Sequence, residues 1–377
     1  MDFLIQRSIS KFALHDLEKK LVLISGPRQV GKTYLSKSLS SDYLYLNYDN
    51  IDSQREITER SWPRNKDLII FDEIHKMSNW KQWLKGIYDV EGVKHPSPKI
   101  LVTGSARLDT FRKMGDSLAG RYYLLHLLPL SVNEVSPTNS KEVIEQFLRL
   151  GQFPEPFLSG SEVESRIWRK THLDVILRQD LLDLENVSSI RKIERLVQLL
   201  ADRVGSGISY ANLARDLEVS PPTIKNWIQI LEELYVVYSV RPFSKNLAKS
   251  ILKEPKIYFF DIGQIKRVEL RLENLVANHI YKKVHFLNDT MGLNYELMYF
   301  RDKEQREVDF VLTEDNLPVQ IIEVKTAEDV PTRSLVYLKE HFQGIDAVQL
   351  VHKLKQERFV NGIRVMHLHD FLSTLET

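Results

Sequence analysis

The stretch Leu21-Val22-Leu23-Ile24-Ser25-Gly26-Pro27-Arg28-Gln29-Val30-Gly31-Lys32-Thr33 decides how the amino-terminal third must fold. Its first five residues form an apolar run of strand length, and the eight that follow are a complete phosphate-binding loop leaving that strand. Such a loop, here Gly26, Pro27, Arg28, Gln29, Val30, Gly31, Lys32 and Thr33, wraps a phosphate chain with its backbone N–H groups. Gly26 and Gly31 supply dihedrals and a close approach that a side chain would block. Lys32 is placed to reach the β- and γ-phosphates, and Thr33 to offer its hydroxyl oxygen to Mg²⁺. The helix that Thr33 opens, through Leu35 and Leu39, directs its positive dipole end at the anion.

Working outward, four more β-rich runs alternate with helical patterns: Tyr43–Tyr48, Leu68–Phe71, Ile100–Thr103 and Tyr122–Leu128. The alternation predicts an α/β fold, a parallel sheet with helices on both faces. The run at Leu68 ends in Asp72-Glu73, so a buried strand delivers two carboxylates to the edge where such sheets bind ligands. Asp72 is the expected Mg²⁺ holder and Glu73 the residue that orients and deprotonates the attacking water. Thr103 and Ser105 are both candidates for sensing the γ-phosphate, and spacing does not choose between them. Arg121, between a helical pattern and the last of these strands, sits where AAA-type ATPases project an arginine finger into a neighbouring subunit; a helix-terminal arginine is the plainer alternative. Arg107 and Arg112 are weaker candidates. Asp72-Glu73-Ile74-His75 also spells a helicase box, but a second motif-bearing nucleotide domain is not evident in the sequence.

At 377 residues the chain has room for two or three domains. A hydrophobic fraction of 43% with 27% charged residues is ordinary for a water-soluble protein. With no cysteine, disulfides and thiolate metal sites are excluded; a reducing cytoplasm is the expected location, with no membrane segment and no secretory signal. The net charge of +1 leaves any nucleic-acid surface to be local.

The expected domains are a P-loop ATPase over 1–135, a helical lid or linker over 136–204, a winged helix-turn-helix over 205–265 and a nuclease-like α/β domain over 266–377. The break Ser136-Pro137-Thr138-Asn139-Ser140 marks the first boundary. Ser209–Leu217 and Pro222–Leu234 read as two amphipathic helices on a tight turn. Ile224, Trp227 or Ile228, Leu231 and Leu234 form the inward stripe of the second. Strand-like Tyr235–Val240 and Lys256–Phe260 complete a winged helix, with Thr223, Asn226 and Gln229 as candidates to meet base edges. Arg241, Lys245, Lys249, Lys253 and Lys256 along the wing suit phosphate contacts, although winged helices also serve as packing modules.

Further on, Val308-Asp309-Phe310-Val311-Leu312 and Ile321-Ile322-Glu323-Val324-Lys325 flank a turn. Alternation puts Glu323 and Lys325 on one face, and hairpin pairing can bring Asp309 beside them. Asp309 and Glu323 could then chelate Mg²⁺ while Lys325 polarises a water, with Glu273 as an added ligand. This resembles the Asp, Glu-x-Lys core of restriction-endonuclease-like and Holliday-resolvase-like nucleases; a hairpin whose charges merely meet water is the alternative.

As a whole the chain resembles bacterial and archaeal ATP-binding proteins with an AAA-type amino-terminal domain and a carboxyl-terminal domain of unknown function. The likeness rests on Gly26–Thr33, Phe71-Asp72-Glu73-Ile74, Thr103-Gly104-Ser105, Leu118-Ala119-Gly120-Arg121, Pro129-Leu130-Ser131, Gly151-Gln152-Phe153-Pro154-Glu155, Arg178-Gln179-Asp180, Glu307-Val308-Asp309-Phe310 and Ile322-Glu323-Val324-Lys325. Gln152 departs from it, standing where a second glycine is expected. The resemblance implies ATP and Mg²⁺ as ligands of Lys32, Thr33, Asp72 and Glu73. DNA and a protein partner are the further candidate partners, and a finger acting in trans implies a homo-oligomer.

Overall fold

The computed structural model describes residues 5–91, 98–104, 118–180, 187–244, 254–342 and 344–375. The chain divides into two compact units, one built on residues 1–128 and the other on most of 129–377.

In the first unit β1 (Leu21–Ser25), β2 (Tyr43–Asn47), β3 (Leu68–Asp72), β4 (Lys99–Gly104) and β5 (Tyr122–His126) form a sheet in the order β2-β3-β4-β1-β5. All its pairings are parallel, as the apolar runs predict. β1 lies between β4 and β5 and every one of its residues is buried, which is why it reads as an unbroken apolar run rather than an alternating one. Because the chain leaves β1 and returns at β2 three places away, the strand order reverses beside β1, and the loop after β1 emerges at that switch point.

Packing fixes where β3 ends. Phe71 meets Trp62 edge-on at 5.3 Å and Trp83 at 5.2 Å, with Trp62 and Trp83 5.8 Å apart. Three interlocked rings leave Phe71 one position, and Asp72 follows from it.

The second unit opens with a short α-helix at Val132–Val135, followed by α-helices at Ser140–Leu150, Pro154–Ser159 and Glu162–Val175, the last continuing as a π-turn over Ile176–Asp180. Arg178 there donates to Asp174 at 2.5 Å, one turn back on an exposed helix face. Helices follow at Val187–Ala201, Tyr210–Leu217 and Pro221–Glu233. Ile224, Trp227, Ile228, Leu231 and Leu234 are all buried, as their spacing requires.

An eight-stranded mixed sheet completes this unit, in the order β12-β13-β11-β10-β9-β8-β6-β7. Its members are β6 (Val237–Pro242), β7 (Lys256–Phe259), β8 (Tyr295–Arg301), β9 (Glu307–Glu314), β10 (Leu317–Lys325), β11 (Asp346–Val351), β12 (Arg358–Val360) and β13 (Ile363–His367). β6 pairs in parallel with β8 through Arg241–Met298 and Pro242–Tyr299, so the hairpin after the two helices and the carboxyl-terminal strands share one sheet across residue 265.

The long helix Val268–Met291 clamps this sheet with amide side chains. Asn274 accepts from the Phe259 N–H and donates to the Phe259 carbonyl, both at 2.8 Å. One turn on, Asn278 donates to the Phe260 carbonyl at 3.1 Å and accepts from the Tyr238 hydroxyl at 2.8 Å. Gln152, the departure from the family pattern, is buried in the same network: its Oε1 accepts from Asn278 at 2.9 Å and its Nε2 donates to the Leu130 carbonyl at 2.9 Å. A glycine at this position has no side-chain donor or acceptor, so the glutamine supplies a cross-link that the expected residue could not.

Trp62→Ala should remove about 3–5 kcal/mol of stability from the first unit, the cost of deleting a fully buried aromatic. Urea unfolding followed by far-ultraviolet circular dichroism checks this.

Candidate functional site

The loop at the end of β1 is held in a shape that glycine makes possible. A Cβ on Gly26 would stand 2.1 Å from the Leu127 carbonyl oxygen, and Gly31 adopts φ 100° as it caps the helix Lys32–Ser38. Gln29 also takes a positive φ, 59°. From behind, buried Arg7 donates to the Val30 carbonyl at 2.8 Å and also to that of Leu128, bracing Val30, which is itself buried. Arg7 went unnoticed in the sequence because a single arginine far upstream carries no spacing signal. Lys32 is buried and its ammonium donates to the carbonyls of Gly26 and Pro27 at 2.8 and 2.7 Å, folding back over the loop it belongs to.

Asp72 is the node of this site. Its Oδ2 accepts from the Thr33 hydroxyl at 3.0 Å and from Tyr45 at 2.6 Å, and its Oδ1 from Thr103 at 2.6 Å. Pairing in the sheet explains the geometry, since Asp72 lies opposite Asn47 on β2 and Thr103 on β4. Thr103 therefore reaches Asp72 directly, whereas Ser105 lies outside the described residues. Tyr45 is a partner that sequence reading missed: it sits in a strand rich in aromatics and nothing in its spacing points at β3.

Glu73 takes the left-handed conformation, φ 55°, with its N–H on the Thr103 carbonyl at 3.0 Å. Its carboxyl is raised above the ordinary range, first by burial and then by Asp72, against the opposing pull of Lys32, Lys76 and Arg28. His75 Nε2 lies 3.5 Å and Lys76 Nζ 3.9 Å from it. Carboxylate and hydroxyl oxygens meeting at Asp72 and Thr33 are a donor set suited to a hard divalent cation, so these residues fit Mg²⁺.

Arg121 lies elsewhere. Leu21 pairs with Tyr122 and Ser25 with His126, so Arg121 precedes the sheet at the edge where strands begin, and the phosphate loop leaves the other edge. Five strand residues, Leu21 to Ser25, separate the two edges, roughly 16 Å. The guanidinium is held by Asp89, Nε to Oδ1 at 2.7 Å. Arg107 and Arg112 are outside the described residues.

A second cluster gathers in the other unit. Asp309 accepts from the Val324 N–H at 2.9 Å, Lys325 Nζ lies 2.8 Å from Glu323 Oε1, and the β9–β10 hairpin runs as alternation predicts. Glu273 joins through Tyr258, whose hydroxyl donates to it at 2.8 Å. One sequence expectation is corrected here. Lys256 is not part of an exposed wing strip: it is fully buried in β7, 2.7 Å from Glu307, 3.8 Å from Glu273 and 3.9 Å from Asp309. β7 is buried throughout, and a charge there persists only when opposite charges surround it. Lys245, Lys249 and Lys253 lie outside the described residues, and Arg241 remains exposed.

Burial and then Asp309 push Glu323 up to about 8, and the same two causes push Glu273 up to about 7. Burial opposes the Lys256 charge, but Glu273, Asp309 and Glu307 hold its ammonium well above the ordinary lysine range. The buried Glu323 Oε2 has no hydrogen-bond partner among the described residues. An orphaned carboxyl oxygen beside Asp309 is an acceptor that a divalent cation would satisfy, with release of a proton.

With the geometry in place, comparison with known proteins is informative for the first unit. Residues 18–136 match the family described as AAA domain. Over these residues the chain is similar to AAA domains. Residues 141–274 and 271–371 match two domains of unknown function, DUF8612 and DUF4143. Among relatives, the uncharacterized protein Rv2008c of Mycobacterium tuberculosis is 29% identical over 261 residues, 68% of this chain and 57% of the relative. The chain thus spans little more than half the length of that relative. MJ1544 of Methanocaldococcus jannaschii is 23% identical, covering 92% of this chain and 90% of its own. Two solved structures align at low similarity: replication initiator DnaA bound to AMPPCP and single-stranded DNA (17% identity, TM-score 0.33, 60% of this chain and 86% of that one), and Aeropyrum pernix ORC1 in complex with DNA (13%, 0.34, 74% and 94%).

A carboxyl whose folded pKa is raised holds a proton that the unfolded chain releases. Its stabilising contribution is complete below its ordinary value of 4.5 and is lost as pH rises through about 8 for Glu323. The thermal midpoint of the second unit should therefore fall between about pH 5 and pH 8, and Glu323→Gln should flatten that fall. Scanning calorimetry across buffers reads both.

Proposed function

We propose that this chain is a Mg²⁺-dependent ATP hydrolase whose carboxyl-terminal half engages DNA. The observation that carries the hydrolase reading is the convergence of Thr33, Tyr45 and Thr103 on Asp72 beside Lys32 and the raised carboxyl of Glu73. Thr33 and Asp72 would hold Mg²⁺, which supplies charge neutralisation along the phosphates. Lys32 swings from the Gly26 and Pro27 carbonyls onto the β- and γ-phosphates. Glu73 accepts the proton of a water whose oxygen bonds the γ-phosphorus as the bond to the bridging oxygen breaks, leaving ADP and phosphate. A raised pKa suits this work, bringing the base nearer the pH at which it operates. Arg121, remote from the loop of its own chain, serves the site of a neighbouring copy in a homo-oligomer.

The DNA reading draws support from the two helices before the β6–β7 hairpin, with Asn226 and Gln229 exposed, and from the Asp309, Glu323 and Lys325 group. If that group cuts, Asp309 and Glu323 hold the cation and Lys325 steadies the developing charge. Lys256 favours a second reading, an ATP-driven switch that engages a protein partner through an uncatalytic nuclease-like domain, because an ammonium already stands among three of the carboxylates, Asp309 included.

Lys32→Ala should abolish ATP binding by calorimetry, and Glu73→Gln should keep it while lowering turnover by about 10²- to 10⁴-fold. DNA stimulation of ATPase activity supports the first reading; indifference to DNA with a copurifying protein supports the second. Nicking of supercoiled DNA with Mg²⁺ or Mn²⁺ should disappear in Asp309→Ala and Lys325→Ala. Mixing Lys32→Ala with Arg121→Ala should restore part of the turnover that each lacks, an outcome only a trans arginine allows.

A further inference from the structure

The helices Glu162–Val175 and Val187–Ala201, with residues 263–271, enclose an open cleft of about 1120 Å³. On the first helix Arg166, Arg169 and Lys170 recur at spacings of three and four, so one face presents them together. Arg195 comes from the second helix, and Lys266 and Arg271 from the segment beyond Gly263. Against these six cations stand three lining acids, Asp174, Glu194 and Asp202, with Asp174 paired with Arg178; beyond the lining, Glu162 lies 3.6 Å from Arg166 and Asp261 3.4 Å from Arg169.

The guanidiniums of the cleft are built in rather than draped over it. Arg169 donates to the Leu150 carbonyl at 2.9 Å and the Ser165 hydroxyl at 2.7 Å, and its Nε lies 3.4 Å from Asp261 without a hydrogen bond. A Cβ at position 263 would stand 2.0 Å from that Nε, so only glycine leaves room for the arginine. Arg271, donating to the Leu148 carbonyl at 2.6 Å, is close enough to Arg169 for the two charges to oppose each other. Lys170 and Lys266 are exposed and have no carboxylate partner among the described residues. The arrangement asks for an anion.

What lines the cleft narrows that anion. No aromatic side chain is among its described lining residues, which removes the stacking platform that single strands and free nucleotides use. Leu177, Val197 and Ala201 are buried, leaving few apolar anchors for an amphipathic protein helix. Rows of cations without base-reading or stacking groups suit a phosphodiester backbone. We infer that this cleft is a docking surface for the phosphate backbone of duplex DNA, independent of sequence. The inference rests on the reading that the carboxyl-terminal half engages DNA, and it names a surface for that engagement distinct from the helix pair and hairpin.

The test is fluorescence anisotropy of a labelled duplex titrated with the full chain at several salt concentrations. The comparison is between the wild type and Lys170→Gln/Arg195→Gln/Lys266→Gln, whose exposed positions should leave the melting profile unchanged. Each lost phosphate contact should reduce the slope of log K against log salt by about 0.9, so the triple variant should lose about 2.7, with affinity at least about tenfold weaker. Duplex binding with unchanged slope overturns the cleft while leaving the DNA reading intact. A wild type that binds no duplex at any salt overturns both. Slope loss seen only with a single-stranded oligonucleotide, or only with polyglutamate, reassigns the cleft and overturns the duplex proposal.

Discussion

Three hydroxyls from three different elements donate to the one carboxylate of Asp72, and the organisation of the first unit depends on it. Thr33 opens the helix after the phosphate loop, Tyr45 stands on β2 and Thr103 on β4. A buried carboxylate is tolerated only when its lone pairs are filled, so these donors tie the ends of neighbouring elements to the end of β3. The same bonds orient Asp72 beside the loop that follows β1. Glu73, next in the chain, is held at the rim by its N–H on the Thr103 carbonyl.

The second unit is organised around the opposite charge. Lys256 is enclosed in β7 with Glu307, Glu273 and Asp309 around it, contributed by a strand and a helix far along the chain. A lone buried ammonium would be strongly unfavourable, and four acidic side chains crowded without a cation would be as well. The cluster resolves both by mixing them, while burial first and Asp309 second raise the carboxyls of Glu323 and Glu273 above the ordinary range. A site so poised responds to any change in local charge, whether from a metal ion, a phosphate group or pH.

Much of this was legible from residue order. The phosphate loop, the five parallel strands and the Asp-Glu pair announce themselves because each is a contiguous pattern whose meaning does not depend on distant residues. The Asp309, Glu323 and Lys325 group was readable for the same reason: alternation along β10 and one short turn bring them together. Lys256 was misread because a lysine among lysines looks like solvent-facing charge; only the packing of the Val268–Met291 helix, whose Asn274 bonds the Phe259 backbone, shows that β7 is covered. Tyr45 and Arg7 were likewise invisible, and Gln152 showed only as a departure from the expected glycine, since each acts through a partner with no fixed sequence offset.

By itself, then, the order of residues determined local chemistry and the class of fold: strand, loop and helix periodicities are set within a few residues by sterics and burial. Tertiary structure decided which charges face one another, that Arg121 stands at the edge of the sheet away from its own phosphate loop, and that two expected carboxyl-terminal domains share a single sheet. The physical reason is that electrostatic and hydrogen-bond partners are chosen by distance in space. Strand order and register, which set that distance, come from packing the whole chain.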